Sequence, residues 1–350
     1  MITAKTFGKL PCGCNAVLYS MINASGAHVD VCNYGGILVS IVVPDASGKL
    51  GDVLLGYDSV EGYMPTNGYM GALIGRIGNR IDHGKCTLNG KEMQLAQNSN
   101  GHHLHGGNVG FNEKVWNVTA KPGEGEDSLV LTVFSPDGEE NYPGNLNVTV
   151  TYTFTDDNAL SIHYEATSDK DTFLNMTNPA YFNIGGEGGD KIYDQIITIH
   201  ADRFTPTDAT LIPTGELKDV TGTVFDLRGG VRIGDRIDLD DPQLKAGQGY
   251  DHNFCLNGEG MREAVVLTDP KSGRVMKVIT DQPGVQFYAS NCLTETKTGK
   301  CGHGYTPRDG LCLETQCYPD APNHANFPSI VLKAGEKYDT TTTYAFSTAK

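Results

Sequence analysis

One carboxylate draws attention by its surroundings. In GLCLETQCYPDAPNHANFPS (residues 310–329), Glu314 follows Leu311, Cys312 and Leu313, an apolar run of strand character. A carboxylate there loses part of its hydration, which disfavours the charged form and raises its pKa towards the range of a general base. The plainer alternative is a structural glutamate held in an ion pair. A second candidate lies in HHLHGG (residues 102–107), where three histidines fall within four residues. On a strand, His103 and His105 share one face, with Leu104 opposite. His105 stands against glycines that let the backbone come close to a ligand, and is the better placed to move a proton or donate a hydrogen bond. Two histidines without a nearby cysteine or acidic third ligand make a poor metal site, so no metal is expected.

Three polar stretches accompany these groups. GRIGNRI (residues 75–81) carries Arg76, Asn79 and Arg80 among glycines, a setting in which forked donors can lie beside a polar ligand. In YDHNF (residues 250–254), Asp251 precedes a histidine, an asparagine and an aromatic, a set suited to binding hydroxyls; an Asx-turn is the bland alternative. TNPAYFNIGG (residues 177–186) looks like part of an active site with one piece absent. Asn178 and Asn183 flank Tyr181 and Phe182, yet Pro179 stands where a titrating group would be sought.

The elements that must position these residues read as strands. Leu146, Val148, Val150, Tyr152 and Phe154 alternate with Asn and Thr; after the turn DDNA, Leu160, Ile162, Tyr164 and Ala166 alternate again. This period of two predicts a hairpin with one buried face, and places His163 on its polar side. NAVLYSMIN, GILVSIVV, DSLVLTVF, REAVVLTD and RVMKVITD repeat the style, separated by turn sequences such as PDASGK and DPKSGR. No window has helical periodicity of helical length, and βαβ alternation is absent. The expectation is an all-β fold: one large antiparallel sandwich, a single domain over residues 1–350. The prolines of PDAPNHANFP predict a rigid loop in which His324 is structural.

Composition narrows the partners. A net charge of −15 argues against nucleic acid and anionic membrane surfaces, and makes multiply phosphorylated substrates less natural than neutral small molecules. MITAKTFGKL lacks the apolar core of a signal peptide, and no apolar run reaches membrane-span length. The nine cysteines show no repeated CxxC pair; reduced, buried thiols and a cytoplasmic protein, monomer or homodimer, are expected.

Taken together, GRIGNRI, HLHGG followed by GFNEKVW, TN-AYFN, GYDHNF, GVQFYASN and LETQ-YPDAPNHANFPS resemble the galactose mutarotase (aldose 1-epimerase) family, in family order from about residue 70 to 330. The resemblance implies a β-supersandwich with an open sugar cleft and no cofactor. It implies that Glu314 takes the anomeric hydroxyl proton and that His105 contacts the sugar near the ring oxygen. Arg80 and Asp251, with Asn79 beside them, match residues that bind the sugar hydroxyls. Two positions depart from the pattern. Pro179 replaces a second histidine, usual in TNHxYFN, that protonates the ring oxygen. Cys317 stands where histidine is often found.

Opening a pyranose removes a proton from the anomeric hydroxyl and delivers one to the ring oxygen; the aldehyde then turns and recloses as the other anomer. Each positioned acid or base contributes about 10²–10⁴-fold. Proline can neither titrate nor donate. Three readings follow: a mutarotase in which His105 or a water near it protonates the ring oxygen, a sugar-binding relative without turnover, and an epimerase of phosphorylated hexoses. Acidity counts against the third, and the retained base and sugar ligands favour the first over the second.

Overall fold

Strict apolar–polar alternation builds the largest sheet. In this computed structural model, which describes residues 1–66, 68–294 and 297–349, Leu146–Thr155 and Ala159–Ser168 form the expected hairpin, with Val150 opposite Tyr164 and Tyr152 opposite Ile162. The alternating apolar side chains of both strands are buried in the main core. His163 lies on the other face, half-exposed, its Nε2 at 2.8 Å from Asp339 Oδ1. The sheet has nine strands, in the order Asn117–Pro122, Glu126–Ser135, Leu146–Thr155, Ala159–Ser168, Lys337–Thr348, Arg274–Thr280, Arg262–Thr268, Ile196–Ile199 and Val231–Arg232. All its ladders are antiparallel.

A smaller sheet lies against it and decides where chemistry can occur. Its five strands run in the order Lys218–Asp219, Ala201–Thr205, Asp251–Leu256, Gly284–Tyr288 and Cys312–Gln316. Residues directly paired across antiparallel strands point to the same side, and successive residues to opposite sides. Phe254, Val285, Phe287 and Leu313 therefore share one face and join the main core, where each apolar side chain contributes about 1.5–3 kcal/mol. The other face carries Asp251, Tyr288 and Cys312 in one paired row, and Asn253, Gln286 and Glu314 in the next. One side of the sheet is oil; the other is polar and nevertheless covered by loops.

Among the described residues there is one α-helix, Pro242–Gly247, six residues long and so below the length at which apolar periodicity shows. Its cues are local instead: Asp241 caps it by accepting from the Gln243 and Leu244 amides, Pro242 opens it, and Gln248 closes it at φ 55°. One expectation needs correction: the thiols are not uniformly reduced and buried. Cys12 and Cys14 are joined in a disulfide, and Cys292 is exposed; Cys32, Cys86, Cys255, Cys312 and Cys317 are free and buried as expected. No helix among the described residues is long and apolar enough to cross a membrane.

Candidate active site

The polar face of the small sheet is the floor of a cavity of about 580 Å³. Glu314, Asp251 and Tyr288 rise from the floor; Asn79, Arg80 and His105 form one wall, Pro179 and Tyr181 another, and the end of the Pro242–Gly247 helix a third. Of the residues singled out in the sequence, Asn79, Arg80, His105, Pro179, Tyr181, Asp251 and Glu314 line this space, whereas Arg76, His103, Asn178, Phe182 and Asn183 do not.

Glu314 is 4% exposed, and its Oε2 is buried without a hydrogen-bond partner. Burial, and then the negative charge of Asp251, push its pKa up to about 8, against the opposing pull of Arg80. This is a carboxylate that can hold and release a proton near neutrality. Asp251 is fixed by its neighbours: Arg80 Nη1 lies 3.7 Å from Oδ2, and Gln286 Nε2 donates to Oδ1 at 2.7 Å. Gln286 was not anticipated. Its position opposite Glu314 and Asn253 follows from strand register, which one strand read alone does not reveal.

His105 is held by two reciprocal bonds to Asn79. The Asn79 amide donates to His105 Nδ1 at 3.0 Å, and the His105 amide donates to Asn79 O at 3.1 Å. Both residues sit in the left-handed region, at φ 61° and 49°, a conformation few side chains adopt without such support. With Nδ1 accepting, the ring proton of neutral His105 resides on Nε2. Burial first, then the positive charge of Arg80, depress its pKa to about 3. His105 is therefore a neutral N–H donor in this cavity at physiological pH. The glycine after it is required: a Cβ at Gly106, at φ 91°, would lie 1.9 Å from Gly75 O.

The segment with the missing piece is firmly placed. Thr177 exchanges backbone bonds with Ile74, Asn178 Nδ2 donates to Gly71 O at 2.9 Å, and Pro179 O accepts the Gly71 amide at 3.0 Å. Pro179 thus reaches the cavity in the position expected for an acid, offering a hydrocarbon ring.

Sequence comparison agrees with this geometry. The profile of the family described as aldose 1-epimerase matches residues 17–345. The chain belongs to the aldose 1-epimerase family. It is 44% identical over 349 residues to galactose mutarotase of Bos taurus, covering 99% of each chain. It is 36% identical over 333 residues to aldose 1-epimerase of Escherichia coli, covering 94% of each. Among solved structures, galactose 1-epimerase from Lactobacillus acidophilus superposes with a TM-score of 0.89 at 29% identity, covering 100% of this chain and 99% of that one.

Several histidines and one arginine prominent in the sequence serve this aldose 1-epimerase fold elsewhere. Arg76 points away from the cavity and donates to Ser135, Thr172 and the carbonyls of Pro136, Pro143 and Gly144. His103 does not share a face with His105, because the strand ends at Leu104; its Nδ1 and Nε2 meet Ala96 O and Tyr142 Oη. His102 comes near Asp82 and His83, a grouping with ligand-like atoms within 4.8 Å of one another. Its Nδ1, however, already accepts the His83 amide at 3.0 Å, so that lone pair is taken. Cys317 is packed in the core and donates to Pro328 O at 3.1 Å.

Proposed function

We propose that this chain is a mutarotase acting on free hexoses of the galactose and glucose type, with Glu314 as the base. A single observation carries the reading: a buried carboxylate with an unpartnered oxygen and a pKa near 8 faces the cavity beside the Arg80–Asp251 pair. Ionised Glu314 takes the anomeric hydroxyl proton. Arg80 and Asp251, with Asn79 beside them, fix ring hydroxyls, and His105 offers its Nε2 hydrogen near the ring oxygen. Among the described lining residues Arg80 is the sole arginine or lysine, and Asp251 faces it, which suits a neutral sugar better than a phosphorylated one. No metal or other cofactor enters this scheme. The reading extends to one domain over residues 1–350 in a cytoplasmic setting, with the main core drawing on residues from Met21 to Phe346. Polarimetry of fresh α-D-galactose tests it; sugar binding without acceleration would leave a binding protein instead.

The pKa of Glu314 gives the pH dependence a sign. The base works ionised, so kcat/KM should climb nearly tenfold per pH unit below about pH 8 and level off above it. His105 is already neutral throughout that range and adds no opposing limb. Arg80→Ala removes the charge that lowers the Glu314 pKa and should move the midpoint up; Asp251→Asn removes the charge that raises it and should move it down. Initial polarimetric rates corrected for buffer catalysis check both signs, and a flat profile contradicts a buried base.

Binding is tested separately. Charge-assisted hydrogen bonds from Arg80 and Asp251 to sugar hydroxyls are worth about 1.5–3 kcal/mol each. Alanine at either position should weaken galactose binding at least about tenfold, measured by calorimetric titration, with the fold preserved. Unchanged affinity would remove both residues from the site.

A further inference from the structure

Ring opening requires a proton on the ring oxygen, and Pro179 has none to give. The geometry points to Tyr288, whose phenol hydroxyl supplies that proton in place of the absent histidine. This rests on the mutarotase reading above and completes it.

Tyr288 pairs with Asp251 on one side and Cys312 on the other, while Gln286 pairs with Glu314. Tyr288 and Glu314 thus stand diagonally on the same polar face, a separation of about 7–8 Å between their Cα atoms. A base and an acid so placed can address the two ends of one C–O unit. The Tyr288 ring also meets Tyr181 edge-on, with centroids 6.0 Å apart, and Tyr181 lies two residues beyond Pro179. Tyr288 therefore borders the very segment from which the acid is missing, and lines the same cavity.

Its proton is available. Tyr288 Oη accepts the Cys292 amide at 3.1 Å, which orients the oxygen, and its own O–H has no acceptor among the described residues. The alternatives are less suitable. Tyr181 spends its O–H on Gly68 O at 2.9 Å. His105 is neutral, and giving up its remaining N–H proton would leave an imidazolate in a buried site. Burial holds the Tyr288 phenol well above its usual pKa, so it stays protonated across the working pH range, though as a weaker acid than an imidazolium.

The step balances. The Glu314 carboxylate takes the O1 proton, the C1–O1 bond becomes a carbonyl, and the C1–O5 bond breaks with its electron pair going to O5. O5 takes the Tyr288 proton, leaving a phenolate that the Cys292 amide stabilises. After rotation about C1–C2, O5 attacks the other face of the aldehyde and returns its proton to the phenolate, while Glu314 returns its proton to O1. No oxidant or net proton is needed.

The test is Tyr288→Phe in the parent and in a Pro179→His background, with polarimetric kcat and calorimetric galactose affinity for each. In the parent, kcat should fall about 10²-fold with affinity nearly kept. In the Pro179→His background the loss should shrink by about tenfold or more, because the introduced imidazole supplies the proton. Equal losses in both backgrounds, an unchanged kcat, or a loss confined to affinity would each overturn the proposal; so would Cys292→Ala matching the effect of Tyr288→Phe with its phenol intact. If Tyr288→Phe does not fold, a fluorinated tyrosine at position 288 replaces it: the more acidic phenol must change kcat, and no change overturns the assignment. A parent that turns over no faster than buffer would instead sink the mutarotase reading, whereas an active parent indifferent to Tyr288→Phe sinks Tyr288 alone.

Discussion

Replacing Glu314 with glutamine should lower kcat for galactose mutarotation by about 10²–10⁴-fold. The amide keeps the shape of the side chain and can still hydrogen-bond, so sugar affinity should survive. Packing should survive as well, because Glu314 Oε2 has no protein partner to lose. A neutral amide also removes the cost of protonating the buried carboxylate when the chain folds at neutral pH, so the variant should be no less stable than the parent. The pH dependence near 8 must disappear with the carboxylate. A variant that turns over at the parent rate would show that another group is the base.

Restoring the missing histidine should act in the opposite direction. Pro179→His should raise kcat by roughly 10²–10⁴-fold, since an imidazole near neutral pKa is a far better proton donor than a buried phenol. The backbone is prepared for it. The bonds that pin this segment use Thr177, the Asn178 side chain and the carbonyl of Pro179, and none uses the nitrogen of residue 179. Proline disfavours helix and favours an extended backbone at Asn178, and Pro179 borders a cavity of about 580 Å³ into which an imidazole can extend. Polarimetric rates of the parent and the variant, with calorimetric affinities alongside, provide the check. A gain below about tenfold would mean that proton delivery does not limit the parent.

Much of this was legible in the sequence, for identifiable reasons. Period-two alternation made the Leu146–Thr155 and Ala159–Ser168 hairpin readable, because a half-buried strand must alternate. Glu314 betrayed itself by an apolar run on its N-terminal side, and the structure buries it accordingly. The family resemblance named Arg80, Asp251 and His105, and all three line one cavity. Arg76 misled, since a GRIGNR string does not say which arginine turns inward; its neighbour Ser135 is 59 residues away. His103 and His105 parted because the strand ends at Leu104 and His105 itself turns left-handed, at φ 49°, which breaks the alternation that would align them. Gln286 and Tyr288 went unnoticed because their importance comes from register with Glu314, a relation between strands rather than within one. The Pro242–Gly247 helix was hidden by being shorter than any periodicity test can resolve.

The most direct measurement is the decay of optical rotation of freshly dissolved α-D-galactose with the whole chain, its Glu314→Gln variant and buffer alone. The account predicts that the parent accelerates the decay above buffer despite Pro179, and that Glu314→Gln removes the acceleration while still binding galactose. A parent that binds galactose yet leaves the buffer rate unchanged would contradict it.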